Sequence, residues 1–272
     1  MPDIITGPGK GKVTPTEIHV FDGVTGQALA GPLGSFLAFD LPKFTGGVFV
    51  AAGDVNGDGF KDVIAATGPG APPEVKVFSG ANGSALIDFV PYDATFKGGV
   101  VVAAADFDRD GRTEIVTGPG KGGAPEVRLF DSSGNAFTSA ALPNLPNKFL
   151  AYDAKFTGGI FVAAGDVNGD GVADIVTGAG KGNPPQVAVF SGVNGSELAR
   201  FFPLDPKRKT GVRVAVADID GDGRFEILAN PGSGHAPTEV HAFDGQTLAE
   251  KTRFLAFDAK FGKGAFVGGV RR

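Results

Sequence analysis

Asp54-Val55-Asn56-Gly57-Asp58-Gly59-Phe60-Lys61-Asp62 sets carboxylate or amide oxygens at the first, third, fifth and ninth positions of a nine-residue loop. The pattern returns as Asp106/Asp108/Asp110/Glu114, Asp166/Asn168/Asp170/Asp174 and Asp218/Asp220/Asp222/Glu226. Carboxylates at this spacing repel one another unless a cation sits among them. A glycine at the sixth position (Gly59, Gly111, Gly171, Gly223) lets the backbone turn sharply around such an ion. Hard oxygen donors in a flexible loop select calcium. A backbone carbonyl at the seventh position (Phe60, Arg112, Val172, Arg224) completes the expected ligand set. Four calcium ions are expected.

The loop is not an EF-hand. That motif needs a bidentate Glu at its twelfth position and a helix after it. The twelfth residues here are Ala65, Thr117, Thr177 and Ala229. Each loop runs instead into a short apolar, β-branched stretch: Asp62-Val-Ile-Ala-Ala-Thr, Glu114-Ile-Val-Thr, Asp174-Ile-Val-Thr and Glu226-Ile-Leu-Ala. The residues before each loop are also strand-like, as in Val48-Phe-Val-Ala-Ala and Ile160-Phe-Val-Ala-Ala. Each loop therefore joins two predicted strands.

Outward from these strands the rest of the unit repeats too. A Gly/Pro loop (Thr117-Gly-Pro-Gly-Lys-Gly-Gly-Ala-Pro, Thr177-Gly-Ala-Gly-Lys-Gly-Asn-Pro-Pro) leads to a third strand such as Glu126-Val-Arg-Leu-Phe. A turn such as Ser79-Gly-Ala-Asn-Gly leads to a fourth strand, and a Lys/Phe/Gly connector such as Lys155-Phe-Thr-Gly-Gly returns to the next unit. Four short strands per unit, at loop spacings of 52, 60 and 52 residues, predict an all-β, five-bladed β-propeller of four-stranded antiparallel blades.

The ends complete the count. Asp3-Ile-Ile-Thr-Gly-Pro-Gly-Lys-Gly matches the second strand of a unit, and Gly264-Ala-Phe-Val-Gly-Gly-Val matches a first strand. The expectation is a single domain, 1–272, closed by N- and C-terminal strands sharing one blade. The blades are expected at 264–272 with 1–45, 46–97, 98–157, 158–210 and 211–263. The composite blade lacks a metal loop, and Asp3 is all that remains of its acidic set.

These loops and Gly-rich turns resemble the FG-GAP/VCBS repeat family, the calcium-loop propeller repeats of integrin alpha-subunit heads and many bacterial secreted proteins. The resemblance runs over essentially the whole chain. Gly70-Ala-Pro and Gly123-Ala-Pro keep one family tag, while the Phe-Gly tag is degenerate. Family propellers more often have seven blades, so five is a departure. A segment of a longer repeat array is the other way to read it.

Composition narrows the function. The four loops hold fourteen of the 30 acidic residues, so the formal net charge of −5 is mostly ion cage, and four calcium ions would bring it to about +3. Twenty-four Phe with no Trp and two Tyr supply packing between blades, with Phe39, Phe44, Phe96, Phe156, Phe257 and Phe261 in recurrent slots. The absence of Cys excludes a disulfide framework and a thiol nucleophile. No apolar run approaches the ~20 residues that cross a bilayer. Met1-Pro-Asp is no signal peptide, so an export signal is expected to have been removed or to lie upstream. Millimolar extracellular calcium saturates loops of modest affinity, which favours an extracellular or cell-surface location.

Enzyme motifs are weak. His19 and His241 fall at alternating, solvated strand positions, and His235 lies in a Gly/Pro loop. Gly118-Pro-Gly-Lys-Gly-Gly and Gly178-Ala-Gly-Lys-Gly lack the Lys-Ser/Thr pair and helix of a phosphate loop. No basic, aromatic-interleaved patch supports nucleic-acid binding. The expectation is a non-catalytic, calcium-stabilised interaction or adhesion module, not an enzyme. The alternative is a carbohydrate-active protein, either a lectin or the accessory propeller of a polysaccharide lyase or hydrolase. The resemblance places a protein or glycan ligand on the Gly/Pro-loop face. That face carries Lys10, Lys121, Lys181, His235 and the quasi-ring Glu17, Glu74, Glu126, Gln186, Glu239. The chain would then be part of a larger multidomain protein.

Overall fold

The computed structural model describes residues 3–11, 16–232 and 238–258. They form nineteen strands and, as the helical element among them, one 3₁₀ turn at Gly31–Leu33. The strands fall into five antiparallel sheets in chain order. The first holds β1 (Ile4–Thr6), β2 (Glu17–Phe21) and β3 (Ser35–Leu37). The second holds β4 (Val48–Gly53), β5 (Asp62–Thr67), β6 (Val75–Phe78) and β7 (Ala85–Phe89). The third holds β8 (Val100–Ala105), β9 (Glu114–Pro119), β10 (Glu126–Phe130) and β11 (Lys148–Leu150). The fourth holds β12 (Ile160–Gly165), β13 (Asp174–Ala179), β14 (Val187–Phe190) and β15 (Glu197–Phe201). The fifth holds β16 (Val212–Ala217), β17 (Glu226–Pro231), β18 (Glu239–Phe243) and β19 (Glu250–Leu255).

This is the five-bladed propeller expected from the repeat. A central cavity of about 780 Å³ is lined from all five sheets, by Ile5, Val48, Val101, Phe161 and Arg213 among others. The strand that would complete the first sheet, 264–272, lies outside the described residues, so the shared-blade closure finds no support among them. Phe261 and His235 also lie outside.

Each second strand, flanked on both sides, is buried along its whole length in β5, β9, β13 and β17. That is why these runs are continuous Val/Ile/Ala/Thr rather than alternating. The phenylalanines do what the composition implies. A last-strand ring of one sheet packs on a third-strand ring of the next: Phe36 on Phe78, Phe89 on Phe130, Phe149 on Phe190 and Phe201 on Phe243, with centroids 4.7–5.2 Å apart. Phe39 and Phe44 are buried, whereas Phe257 is 52% exposed.

Candidate functional site: carboxylate loops and the opposite rim

Strand register builds the loops. Gly53 pairs with Asp62, Ala105 with Glu114, Gly165 with Asp174 and Ala217 with Glu226. The ninth-position carboxylate thus opens the second strand directly across from the residue before the first Asp, which brings positions one and nine together. The sixth-position glycines all have φ between 85° and 89°, a left-handed conformation that costs a Cβ-bearing residue energy. The fourth position is left-handed too. Gly57, Gly169 and Gly221 fill it in three loops, and Arg109 holds φ 62° in the second. Arg109 Nε donates to Gly171 O of the neighbouring loop at 2.8 Å, tying one blade's loop to the next.

The ninth carboxylates are the buried anchors: Asp62 and Asp174 are fully buried, Glu114 is 3% exposed and Glu226 1%. Each accepts from the backbone of its own loop, as in Val55 N–H to Asp62 at 2.9 Å and Phe107 N–H to Glu114 at 2.9 Å. Burial pushes Glu114 up to about 8, with Asp108, Asp106 and Asp110 adding repulsion. Burial likewise raises Asp174 to about 6, against backbone donors that pull it down, and raises Asp62.

The four loops are not alike. Asp106, Asp108 and Glu114 offer oxygens within 4.8 Å of one another, and so do Asp218, Asp220 and Glu226. Asp106 Oδ1 is buried without a hydrogen-bond partner. In the first and third loops an amide intervenes: Asn56 Nδ2 donates to Asp58 at 2.9 Å, and Asn168 Nδ2 donates to Asp170 at 2.9 Å. In all four loops the first-position Asp accepts from a loop glycine N–H, so that contact does not separate them. In the fourth loop the amine of Lys251 reaches in from β19, 2.6 Å from both Asp220 Oδ2 and Glu226 Oε1. Those two bonds, Asp220 first, hold the lysine above its ordinary range. Asp222 is paired with Arg224 at 3.2 Å. The all-oxygen donor sets, the close-packed carboxylates and the orphaned Asp106 oxygen fit a divalent cation. Two acidic clusters have the geometry to coordinate one.

The opposite rim carries the Gly/Pro loops and the connectors, which bond directly to one another. Gly122 N–H donates to Thr157 O, Gly70 N–H to Lys97 O and Gly182 N–H to Lys209 O. Between the third and fourth blades, Lys121, Asp153, Lys155, Phe156, Thr157, Lys181 and Asn183 line an open groove of about 470 Å³. Asp153 Oδ1 accepts from the Lys155 N–H. The quasi-ring expected at this rim is engaged within the chain: Glu74 with Lys76, Glu126 with Arg128, Glu239 with His241 and Gln186 with Arg200, while Glu17 accepts from Ser35. His241 is 7% exposed rather than solvated, and Glu250 on β19 lies 3.1 Å from its ring. Two features escaped sequence reasoning. Arg213 lies in the central cavity over the Phe161 ring, its pKa lowered by burial to about 10. Lys251 stands where sister blades have Leu86 and Leu198, and that break in the repeat was its available signal.

Among curated proteins none matches the chain. Residues 54–117 and 106–177 match the FG-GAP-like repeat family. Among solved structures, the exotype rhamnogalacturonan lyase YesX is similar at 15% identity and TM-score 0.46, over 72% of this chain and 44% of that one. A Bacillus licheniformis rhamnogalacturonan lyase is similar at 14% and 0.44, over 93% and 64%. The Dos1 propeller is similar at 12% and 0.48, over 94% and 60%. The chain spans less than two thirds of each of these. The likeness is one of architecture, and no function is carried over from it. Two sequence expectations are nonetheless corrected. Carboxylate clusters able to hold a divalent ion remove the ground for a non-catalytic adhesion module and for excluding an enzyme. No helix of the described residues is long and apolar enough to cross a membrane. The chain carries FG-GAP-like repeats, consistent with the integrin-α-like repeat family and built into a five-bladed β-propeller.

Proposed function

We propose that the chain is the calcium-stabilised propeller of an extracellular carbohydrate-active protein, with its glycan on the Gly/Pro-loop rim. The observation that carries this reading is the groove between the third and fourth blades. Phe156, half-buried there, offers a ring face to the C–H face of a sugar, while Asn183, Thr157 and Asp153 offer hydrogen-bonding groups. Among the described residues, Lys121, Lys155 and Lys181 make no ion pair, so the groove favours a sugar bearing a carboxylate.

Calcium is the ion we assign to the carboxylate loops, through the side chains of the first, third, fifth and ninth positions and the carbonyls of Phe60, Arg112, Val172 and Arg224. Residues 264–272 are proposed to complete the first blade, making 1–272 one domain of five blades. Affinity electrophoresis against uronate-containing and neutral polysaccharides, with release of reducing ends measured in parallel, tests the reading. Retardation by the uronate polymer that falls at least about tenfold in Phe156→Ala and in Lys155→Ala supports it. Indifference to both polymers, or retention unchanged in the variants, would overturn it.

A further inference from the structure

We propose that Lys251 is a tethered cation that takes the metal's place in the fourth loop, so that the chain binds three divalent ions at ordinary calcium levels and a fourth only when this lysine is displaced. The inference rests on the assignment of the loops as calcium sites, and it concerns how the fourth differs from the rest. Lys251 Nζ lies 2.6 Å from Asp220 Oδ2 and 2.6 Å from Glu226 Oε1, with Asp244 Oδ2 at 3.6 Å. Asp220 and Glu226 are the third- and ninth-position donors of the loop, and Glu226 is its buried anchor. Calcium bonds its oxygens at about 2.3–2.6 Å. An ammonium at these distances therefore occupies the spot between the same two oxygens that the ion needs.

Among the described residues, the other loops lack such a group. The second loop has the same carboxylate set, Asp106, Asp108, Asp110 and Glu114, yet no side-chain ammonium or guanidinium is paired to it among the described residues. One of its buried oxygens, Asp106 Oδ1, has no partner at all. The first and third loops are bridged by neutral amides from Asn56 and Asn168, which an arriving ion can turn without expelling a charge. In the fourth, calcium must first push a cation out from beside a carboxylate that is 1% exposed. Calcium and the lysine then compete for one cage. The stem makes this a feature of sequence rather than chance rotamer: β19 pairs with β18 in a register that puts Lys251 at the slot of Leu86 and Leu198, where no charge is available to enter a loop.

Equilibrium dialysis with radioactive calcium, on the intact chain freed of metal by chelator, tests this. Three ions per chain at about 1 mM free calcium, rising to four in Lys251→Met and in Lys251→Gln, is the expected result. A fourth site in the variants at least about tenfold tighter than the fourth site of the wild type completes it. Four equivalent ions in the wild type would overturn the proposal while leaving the loops as calcium sites. No bound calcium in any form overturns both. Should neither variant fold without metal, hydrogen exchange on the wild type in chelator gives a separate reading. Amides of β16 and β17 are expected to stay protected by at least about tenfold over those of β8 and β9. Equal loss in the two blades would contradict a resident cation.

Discussion

Replacing Glu114 with glutamine is expected to stabilise the metal-free protein at pH 8 and to destabilise the calcium-loaded one. Glu114 is 3% exposed and crowded by Asp106, Asp108 and Asp110. Its pKa is raised from 4.5 to about 8 in the fold. Below pH 4.5 the carboxyl is protonated whether the chain is folded or not, and the fold loses nothing to it. Between 4.5 and 8 the unfolded chain ionises while the folded one holds its proton, so stability falls as pH rises and the loss is complete above about 8. At ~1.4 kcal/mol per pH unit the shift sets an upper bound of about 5 kcal/mol, and water at the loop rim screens this to on the order of 2–3 kcal/mol. Glutamine keeps an acceptor for the Phe107 N–H, now 2.9 Å away, and brings no charge. Urea unfolding in chelator at pH 5, 6, 7 and 8 reads the effect as the difference between wild type and variant, which isolates this carboxyl from the histidines. The gap is expected to open with pH in favour of the variant and to reverse in saturating calcium. A metal-free gap that stays under about 0.5 kcal/mol throughout, or that opens in the other direction, would refute the reasoning.

Other perturbations test the packing and the metal term. Phe107, the largest fully buried side chain among the described residues, lies between the ligand positions Asp106 and Asp108 and points into the core between the third and fourth blades. Phe107→Ala is expected to cost about 3–5 kcal/mol in urea unfolding, and a cost under about 1 kcal/mol would contradict that placement. Tyr152→Phe removes a buried hydroxyl that donates 3.0 Å to Thr177 O and Gln186 O of the next blade, with an expected loss of about 1–3 kcal/mol and an unchanged far-UV spectrum. Raising free calcium to about a hundred times a site's dissociation constant should add ~2.7 kcal/mol for that site, seen as a rise in Tm by scanning calorimetry that chelator reverses.

The fold was legible because its determinants are local and repeated. Alternate-position carboxylates, the left-handed glycine at Gly59 and its counterparts, and the Val/Ile run behind each loop each encode a turn or a strand without reference to the rest of the chain. Even the remnant Asp3 keeps its slot: it accepts from Gly23 N–H at 3.2 Å, as Asp62 does from Gly80 at 2.9 Å. The features that stayed hidden depend on which blade stands next to which group. His241 reads as an exposed alternating residue until Glu250, which pairs with Phe243 across β18 and β19, is seen reaching its ring at 3.1 Å. The glutamates at the third-strand entrances look like a ligand-facing ring, yet a cation two residues on neutralises Glu74 and Glu126. The second and fourth metal loops have equivalent carboxylate sets in sequence, and only their surroundings separate an orphaned oxygen in one from a lysine in the other. Pairing across strands, rather than pattern along them, decides such cases.

The most direct measurement is the calcium content of the purified chain, equilibrated at millimolar calcium, desalted and assayed by elemental mass spectrometry beside its melting curve. About three calcium ions per chain are expected, with a melting temperature that drops when they are stripped. A chain that retains no calcium and melts at the same temperature with and without chelator would contradict the claim that divalent ions hold the blade corners together.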